Sequence, residues 1–472
     1  MLTDYIALLP EIILAIGILI LSVVRIFRHS NTPKTFYSLS RVFIFISALA
    51  TALFYNQNIG NYLHNNSFTT LFKTLMYLFA FIICYLSAKR FVSKNMPSFA
   101  FYFTLLFNLL GFSIAISAYN LALLCGGLGM TFITNVILIK IEKPQEERRH
   151  VLYYLALSFA VFLTMLIGVV GLHYYLHTFN YNEIEKFLEV RSNLIWQHHF
   201  SFACIIGSIL LMMGVAPFHF WFSNVVGKCI LPVAGYLSTV PILVYFSCLV
   251  NICVNAFYPL LGWFNMVFII FGILSIFIGA IGANSENNLR KIFAFSGLYY
   301  IGVMLLVLFP INDNSLMSSF TYMLVYIVAM CGIYTIFYGY RSKGKYMFNL
   351  DDIKGVATQR PFLSAALLVF MISLIGTPPL LGFLGKLSVI NSLVIGHRFV
   401  LLAVILFSML ILAYAYLKII TVVYFEPRDN TFDIVDKGVY WWMFINVVIM
   451  LLAVINPKYL MHDVELMLVA VF

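Results

Sequence analysis

Charge is what this sequence has least of. Only 10% of its 472 residues are Asp, Glu, Lys or Arg, against about 25% in a soluble domain. An ordinary water-soluble fold is thereby excluded, because 62% of the chain is hydrophobic and its mean hydropathy is +0.98. Ligand motifs are also missing. The seven cysteines (Cys84, Cys125, Cys204, Cys229, Cys248, Cys253, Cys331) all fall in apolar stretches. None forms C-x-x-C or a Cys/His cluster, which argues against iron–sulfur and zinc sites. No G-x-G-x-x-G follows a strand pattern, so no nucleotide-binding fold is expected. The opening Met1-Leu2-Thr3-Asp4 lacks the basic flank of a signal peptide, and the first apolar run is expected to stay as a span.

What remains is one apolar run after another, each near the ~20 residues that cross a ~30 Å hydrocarbon core. The expected fold is an all-α polytopic membrane protein with about fourteen transmembrane helices, some of them discontinuous. It forms a single integral membrane domain over residues 1–472. Basic residues test that count, because Lys and Arg concentrate in cytoplasmic loops. Connections on one side hold 22 of the 28 Lys and Arg residues, among them Arg25, Lys140, Arg290, Lys354 and Lys418. The other side is assigned only Lys73, Lys186, Arg191, Arg398 and Lys458, and Lys386 is left within the membrane. Both termini are therefore expected on the outer side of the membrane. The net charge of +10 is explained by topology, so the partner it implies is the lipid bilayer, and no nucleic acid is expected. In the long outer connection, Ile184 to Val190 has the pattern of a short amphipathic helix.

One stretch organises the rest: Ser373-Leu374-Ile375-Gly376-Thr377-Pro378-Pro379-Leu380-Leu381-Gly382-Phe383-Leu384-Gly385-Lys386. It lies in an apolar run from about Pro361 to Gly396, too long for one straight span. The adjacent prolines remove backbone donors and clash with the preceding turn, which predicts two half-helices meeting in the membrane. Lys386 follows the break by about two helical turns, roughly 10 Å. An intramembrane lysine marks an ion or proton pathway by default; the alternative is a side chain that snorkels to an interface. Pro217 and Pro232 mark further breaks. Corresponding breaks suggest inverted repeats of about five helices, at about 98–255 and 259–424.

Other ionisable residues are few. His219, in Ala216-Pro217-Phe218-His219-Phe220-Trp221, follows a break and carries a side chain that titrates near neutrality. Glu11 after Pro10 suits a helix N-terminus. His173 and His177 are one turn apart and read as a surface pair, and Glu286, Arg290 and Lys291 read as loop charge.

Several of these motifs together resemble the subunit N family of respiratory complex I, the NADH–quinone oxidoreductase. They are Leu8-Leu9-Pro10-Glu11-Ile12-Ile13-Leu14, the Pro217–Trp221 segment, Pro232-Val233, Leu237-Ser238-Thr239-Val240-Pro241, and Asn288-Leu289-Arg290-Lys291. The strongest is Asp351-Asp352-Ile353-Lys354-Gly355-Val356-Ala357, continuing through Arg360-Pro361 to Lys386. The resemblance implies an antiporter-like membrane-arm subunit whose partners are the other membrane-arm subunits. Proton translocation would be coupled to electron transfer from NADH to quinone. No cofactor is expected on this chain; NADH, FMN, iron–sulfur clusters and quinone belong to other subunits. Lys386 falls on the family's lysine of the broken twelfth span, with His219 and Tyr300 along the same proton path. A lysine suits that task because an ammonium can release its proton.

The sequence also departs from the family pattern. The lysines expected in the seventh and eighth spans fall on Met212 and Ile242. The acidic pair after the tryptophan falls on Asn224 and Gly227, and the histidine of span ten on Tyr300. Leu123 to Gly129 offers no carboxylate, and its glycines are expected only to make room for water. Lys386 thus reads as the lone survivor of several intramembrane charges. Two further readings stand beside the translocating subunit: a scaffold subunit or paralogue with a degenerate proton path, and a separate cation/proton antiporter subunit.

Overall fold

The computed structural model describes residues 6–27, 33–54, 57–60, 62–93, 98–141, 148–190, 196–427 and 431–452. Its helices are α1 (Leu9–Phe27), α2 (Pro33–Leu53), α3 (Ser67–Ser93), α4 (Ser98–Ser117), α5 (Leu121–Lys140), α6 (Arg148–Leu176), α7 (Tyr181–Val190), α8 (Trp196–Met213), α9 (Phe220–Lys228) and α10 (Leu231–Leu237). They continue as α11 (Val240–Asn255), α12 (Leu261–Ser285), α13 (Leu289–Leu308), α14 (Asp313–Phe337), α15 (Val356–Gln359), α16 (Pro361–Ile375), α17 (Leu381–Ile395), α18 (Phe399–Phe425) and α19 (Lys437–Leu452). Two small antiparallel hairpins lie between helices: β1 (Gln57–Ile59) with β2 (Leu63–Asn65), and β3 (Arg341–Ser342) with β4 (Lys345–Tyr346).

Among the described residues twelve helices are long and apolar enough to cross a membrane, or thirteen if the bent pair Asp351–Gln359 and Pro361–Ile375 is one span. Leu381–Ile395 and Lys437–Leu451 are shorter apolar helices, standing where the sequence placed the second half of span twelve and span fourteen. The chain is a multi-pass, all-α membrane protein. Its surface fits that solvent: Leu19, Ile26, Leu152, Val170, Val400 and Leu410 are all more than half exposed. A water-facing surface does not normally carry so much contiguous apolar side chain. The amphipathic pattern in the outer connection forms α7, which buries Tyr181, Ile184 and Leu188.

The chain divides into two compact units, one from Met1–Met213 and Val240–Trp263, the other from Gly214–Thr239 and Phe264–Leu466. In the first unit, α1 packs on α2 and α4, α4 on α5, and α6 on α8. Helix association in lipid depends on close backbone approach and on interhelical hydrogen bonds, and the α4–α5 pair has both. A Cβ on Gly111 would stand 2.8 Å from the Gly127 carbonyl oxygen, and one on Gly127 2.7 Å from that of Gly111. Asn108 donates across the same interface to Thr134 Oγ1 at 2.6 Å and Asn135 Oδ1 at 3.0 Å. This corrects, at Gly127 and Gly129, the expectation that the fifth-span glycines make room for water; at Gly126 nothing lies within 4 Å of an ideal Cβ. Gly127 is filled by the α4 backbone, and the space over Gly129 is filled by the Phe162 ring, 2.6 Å from an ideal Cβ.

In the second unit α14 is the centre, packed by α13, α16, α17 and α19. The Asp351–Ala357 motif forms the turn that delivers the chain to α16. Gly355 adopts φ +59° and donates its N–H to the Val422 carbonyl at 3.0 Å, while Lys354 Nζ bridges Asp351 at 2.9 Å and Glu426 at 3.3 Å. The path then bends by 115° at Arg360, the residue before Pro361, where proline disfavours helical backbone.

Candidate functional site

The helix break falls where the prolines put it. α16 ends at Ile375, the chain runs through Gly376 to Leu380, and α17 begins at Leu381. A helix end leaves its last four carbonyls without intrahelical partners, and here each of the four is accounted for. Gly376 N–H donates to Ile372 at 3.0 Å and to Ser373 at 2.9 Å. Tyr300 Oη–H donates to the Leu374 carbonyl at 3.1 Å, and Lys386 Nζ–H to the Ile375 carbonyl at 2.5 Å. The structure therefore brings Tyr300 and Lys386 to consecutive carbonyls at the negative end of one helix dipole, a position that favours a cation.

Two glycines make this geometry attainable. Gly376 sits at φ +87°, in the left-handed region where a Cβ is penalised. A Cβ there would also meet Lys386 Cδ at 2.3 Å. At Gly382 a Cβ would stand 1.7 Å from the Ser373 carbonyl oxygen. The start of α17 thus touches the end of α16, and Gly382 N–H donates to Ser373 Oγ at 3.1 Å. Lys386 is half-buried. Among the described residues its only hydrogen-bond acceptor is the Ile375 carbonyl, with no carboxylate in ion-pair range.

Around this point the second unit gathers buried hydroxyls. Tyr300 stacks on Tyr322, with ring centroids 4.7 Å apart, and on Tyr326 at 5.0 Å. Tyr299 accepts from Ser408 Oγ at 3.5 Å, and Tyr416 shares a hydrogen bond with Ser296. α14 carries Tyr322 and Val325 against Gly385, one residue before the lysine. Tyrosine hydroxyls both donate and accept, but those of Tyr322 and Tyr326 are buried with no hydrogen-bond partner among the described residues, so the stacked rings do not form a connected chain of hydroxyls. His219 is elsewhere in the same unit. It lies in the turn between α8 and α9, buried, with its ring 4.2 Å from Phe220 and 6.3 Å from Phe295.

Pro217 occupies that turn, and Pro232 sits in the first turn of α10, where a missing N–H costs nothing. Pro378 and Pro379 lie between α16 and α17. Met212 and Ile242 are buried apolar side chains of the first unit. Asn224 is exposed and donates to the Phe220 carbonyl at 2.9 Å. The Lys291 stem covers Gly227, its Cγ 2.6 Å from where a Cβ would be, and Lys291 Nζ pairs with Glu286 at 2.9 Å. A carboxylate thus meets Lys291 from the connection between α12 and α13, not from the segment the resemblance implies. Arg290 is more than loop charge: it donates to the Cys229 carbonyl at 2.5 Å and lies 4.0 Å over the Phe348 ring. His173 stacks on Phe179 at 3.9 Å. Among the described residues no group of three or more His, Cys, Asp or Glu side chains is placed to hold a metal ion.

Lys386 is not the lone intramembrane charge, and here the sequence reading is corrected. Lys73 lies within the candidate span Ser67–Ala88 and Glu11 within Leu9–Phe27. They are 1% and 7% exposed, and Lys73 Nζ meets Glu11 Oε1 at 2.6 Å. Residues 62 positions apart in sequence form this pair, which is why an inspection of local motifs missed it. The available signal was charge balance. Glu11 is the one acidic residue in the first three apolar runs and Lys73 lies in the third, and a membrane-buried charge needs a partner.

Broken helix, half-buried lysine and enclosing bundle define an antiporter-like membrane protein, and the comparisons with known proteins agree. The family described as NADH:quinone oxidoreductase/Mrp antiporter, TM, matches residues 118–412, and the chain belongs to that family. A protein of Rhodospirillum rubrum named NADH-quinone oxidoreductase subunit N is 24% identical over 431 residues, covering 90% of this chain and 88% of its own. The fold is shared with a chain of respiratory complex I from Thermus thermophilus with bound aureothin, at TM-score 0.82 and 19% identity over 96% of this chain and 98% of that one. It is shared as well with a chain of the Mrp complex from Dietzia sp. DQ12-45-1b, at TM-score 0.85 and 16% identity over 100% and 97%.

Proposed function

We propose that this chain is an antiporter-like membrane subunit of an NADH–quinone oxidoreductase and takes part in proton translocation, with Lys386 as its switchable cation. The carrying observation is the single hydrogen bond from Lys386 to the Ile375 carbonyl at the break between α16 and α17. A lysine locked in an ion pair is held charged by its carboxylate. One held only by a helix-end carbonyl still donates a hydrogen bond after losing its proton, because a neutral amine keeps N–H groups. Tyr300, on the neighbouring carbonyl, adds a hydroxyl beside it and stacks on Tyr322 and Tyr326. Electron carriers and quinone belong, in this reading, to other subunits of the complex. The partners are its other membrane-arm subunits, and the excess of basic residues on one side supports both termini outside.

A specific observation favours a second reading, a scaffold subunit with a degenerate path. Met212 and Ile242 are buried and apolar where the family pattern has lysines. Replacing Lys386 by Met in the native complex separates the two. In sealed vesicles, the proton-to-electron ratio during NADH oxidation by quinone falls if Lys386 carries protons. An unchanged ratio in a fully assembled complex favours the scaffold.

A further inference from the structure

The first unit contains a buried charged network that the proposed role of Lys386 does not use. Lys73 Nζ donates to Glu11 Oε1 at 2.6 Å and to Asn65 Oδ1 at 3.0 Å. Ser113 Oγ donates to the same Glu11 Oε1 at 2.5 Å and accepts from Tyr77 Oη–H at 3.0 Å. Asn65 is fixed in turn, accepting from Ser117 Oγ at 2.7 Å and donating to the Ala7 carbonyl at 2.7 Å. These contacts draw on α1, α3, α4 and the hairpin strand β2.

The carboxylate is used unevenly. Oε1 takes two donors, whereas Oε2 is buried and has no hydrogen-bond partner among the described residues. A pair whose only task is to hold helices together gains nothing from that arrangement. A buried acceptor left bare costs about 1–3 kcal/mol, and apolar replacement of a buried ion pair is often neutral or stabilising. A bare carboxylate oxygen beside a fully donated one is, by contrast, the arrangement that receives a proton. Protonation at Oε2 leaves every existing hydrogen bond to Oε1 in place.

We propose that Glu11 and Lys73 form a proton-exchange site of this chain, with Glu11 Oε2 as the atom that takes up and releases the proton. Uptake from water forms one O–H bond at Oε2 and turns the neutral pair into a singly positive one. Release to water reverses it, and no electron moves. Lys73 and Ser113 keep the carboxyl oriented through Oε1. The titratable groups facing Glu11 among the described residues are Lys73 and Tyr77. The proposal rests on the reading that the chain takes part in proton translocation, but it concerns a different unit and different residues from Lys386.

The direct test is infrared difference spectroscopy of the native complex in its membrane, recorded as NADH is supplied. The wild type is expected to show a protonated-carboxyl C=O band during turnover, and Glu11→Gln to lose it. Should Glu11→Gln fail to assemble, Lys73→Arg carries the test. It keeps the positive charge and its donors but changes the field at the carboxyl, so the band must shift. A turnover spectrum identical to wild type in an assembled Glu11→Gln or Lys73→Arg complex overturns the proposal. Proton-to-electron ratios in sealed vesicles then separate the two claims. Loss of translocation in Lys386→Met with a wild-type ratio in Glu11→Gln removes the Glu11 site alone. Loss in Glu11→Gln with a wild-type ratio in Lys386→Met removes the Lys386 role alone.

Discussion

Each unit holds a lysine among its helices, buried in the first and half-buried in the second, and the two are neutralised in different ways. Lys73 in the first unit faces a full carboxylate, Glu11, at 2.6 Å. Lys386 in the second faces only the carbonyl end of a broken helix, at 2.5 Å from Ile375. An ion pair holds its lysine charged and is costly to break by removing one partner. A helix end offers roughly half a charge and accepts a hydrogen bond from either protonation state of the amine. In the second unit backbone geometry made by glycines and prolines thus does the work that a carboxylate does in the first.

That contrast is open to mutation. The largest effect is expected from Glu11→Leu, which strands Lys73 in the protein interior. A loss of about 3–5 kcal/mol follows from removing one partner of a buried pair, and the double change Glu11→Leu, Lys73→Met should recover much of it. The amount of assembled complex and the temperature at which it loses NADH–quinone activity report both. Next comes Gly382→Ala, whose methyl would stand 1.7 Å from the Ser373 oxygen. Overpacking of this kind costs about 1–3 kcal/mol, and because it parts α16 from α17 it should disturb Lys386 as well as thermal stability. Tyr300→Phe leaves the Leu374 carbonyl without its donor, at a cost of about 1 kcal/mol. A thermal midpoint equal to wild type would show that this hydrogen bond does not form.

The smallest effect is expected at Lys354, a half-exposed surface lysine that serves as the control. Hydrogen bonds that it donates to Asp351 and then Glu426 hold its ammonium above the ordinary lysine value of 10.5. With its folded value raised, its contribution is fully present below 10.5 and is lost only as pH climbs through the higher value. Lys354→Met should therefore fall slightly below wild type in stability at neutral pH, and the gap should close at high salt, where surface pairs are screened.

What was legible in the sequence followed from local chemistry. Pro378-Pro379 between two apolar runs located the break, Gly376 and Gly382 are where the backbone requires them, and the alternation through Ile184 and Leu188 located α7. The Lys73–Glu11 pair was not legible in the same way. Lys73 is the seventh residue of α3 and Glu11 the third of α1, so each looks like an ordinary charge near a helix end. Hydropathy does not tell whether such a side chain turns toward water or inward, and tertiary contact decides it. Tyr300 was singled out by resemblance alone, while its bond to Leu374 and its stack with Tyr322 and Tyr326 depend on how α13, α14 and α16 pack. Gly127 went the other way: small residues read as space turned out to be the surface on which α4 and α5 meet.

Lys386→Arg is the measurement that separates helix capping from proton transfer most directly. Arginine keeps the positive charge and several N–H donors for the Ile375 carbonyl but does not release its proton. In sealed vesicles the assembled variant complex is predicted to oxidise NADH with a lower proton-to-electron ratio than wild type. A wild-type ratio in Lys386→Arg would contradict the proton-carrying role and leave the lysine as a cap on a broken helix.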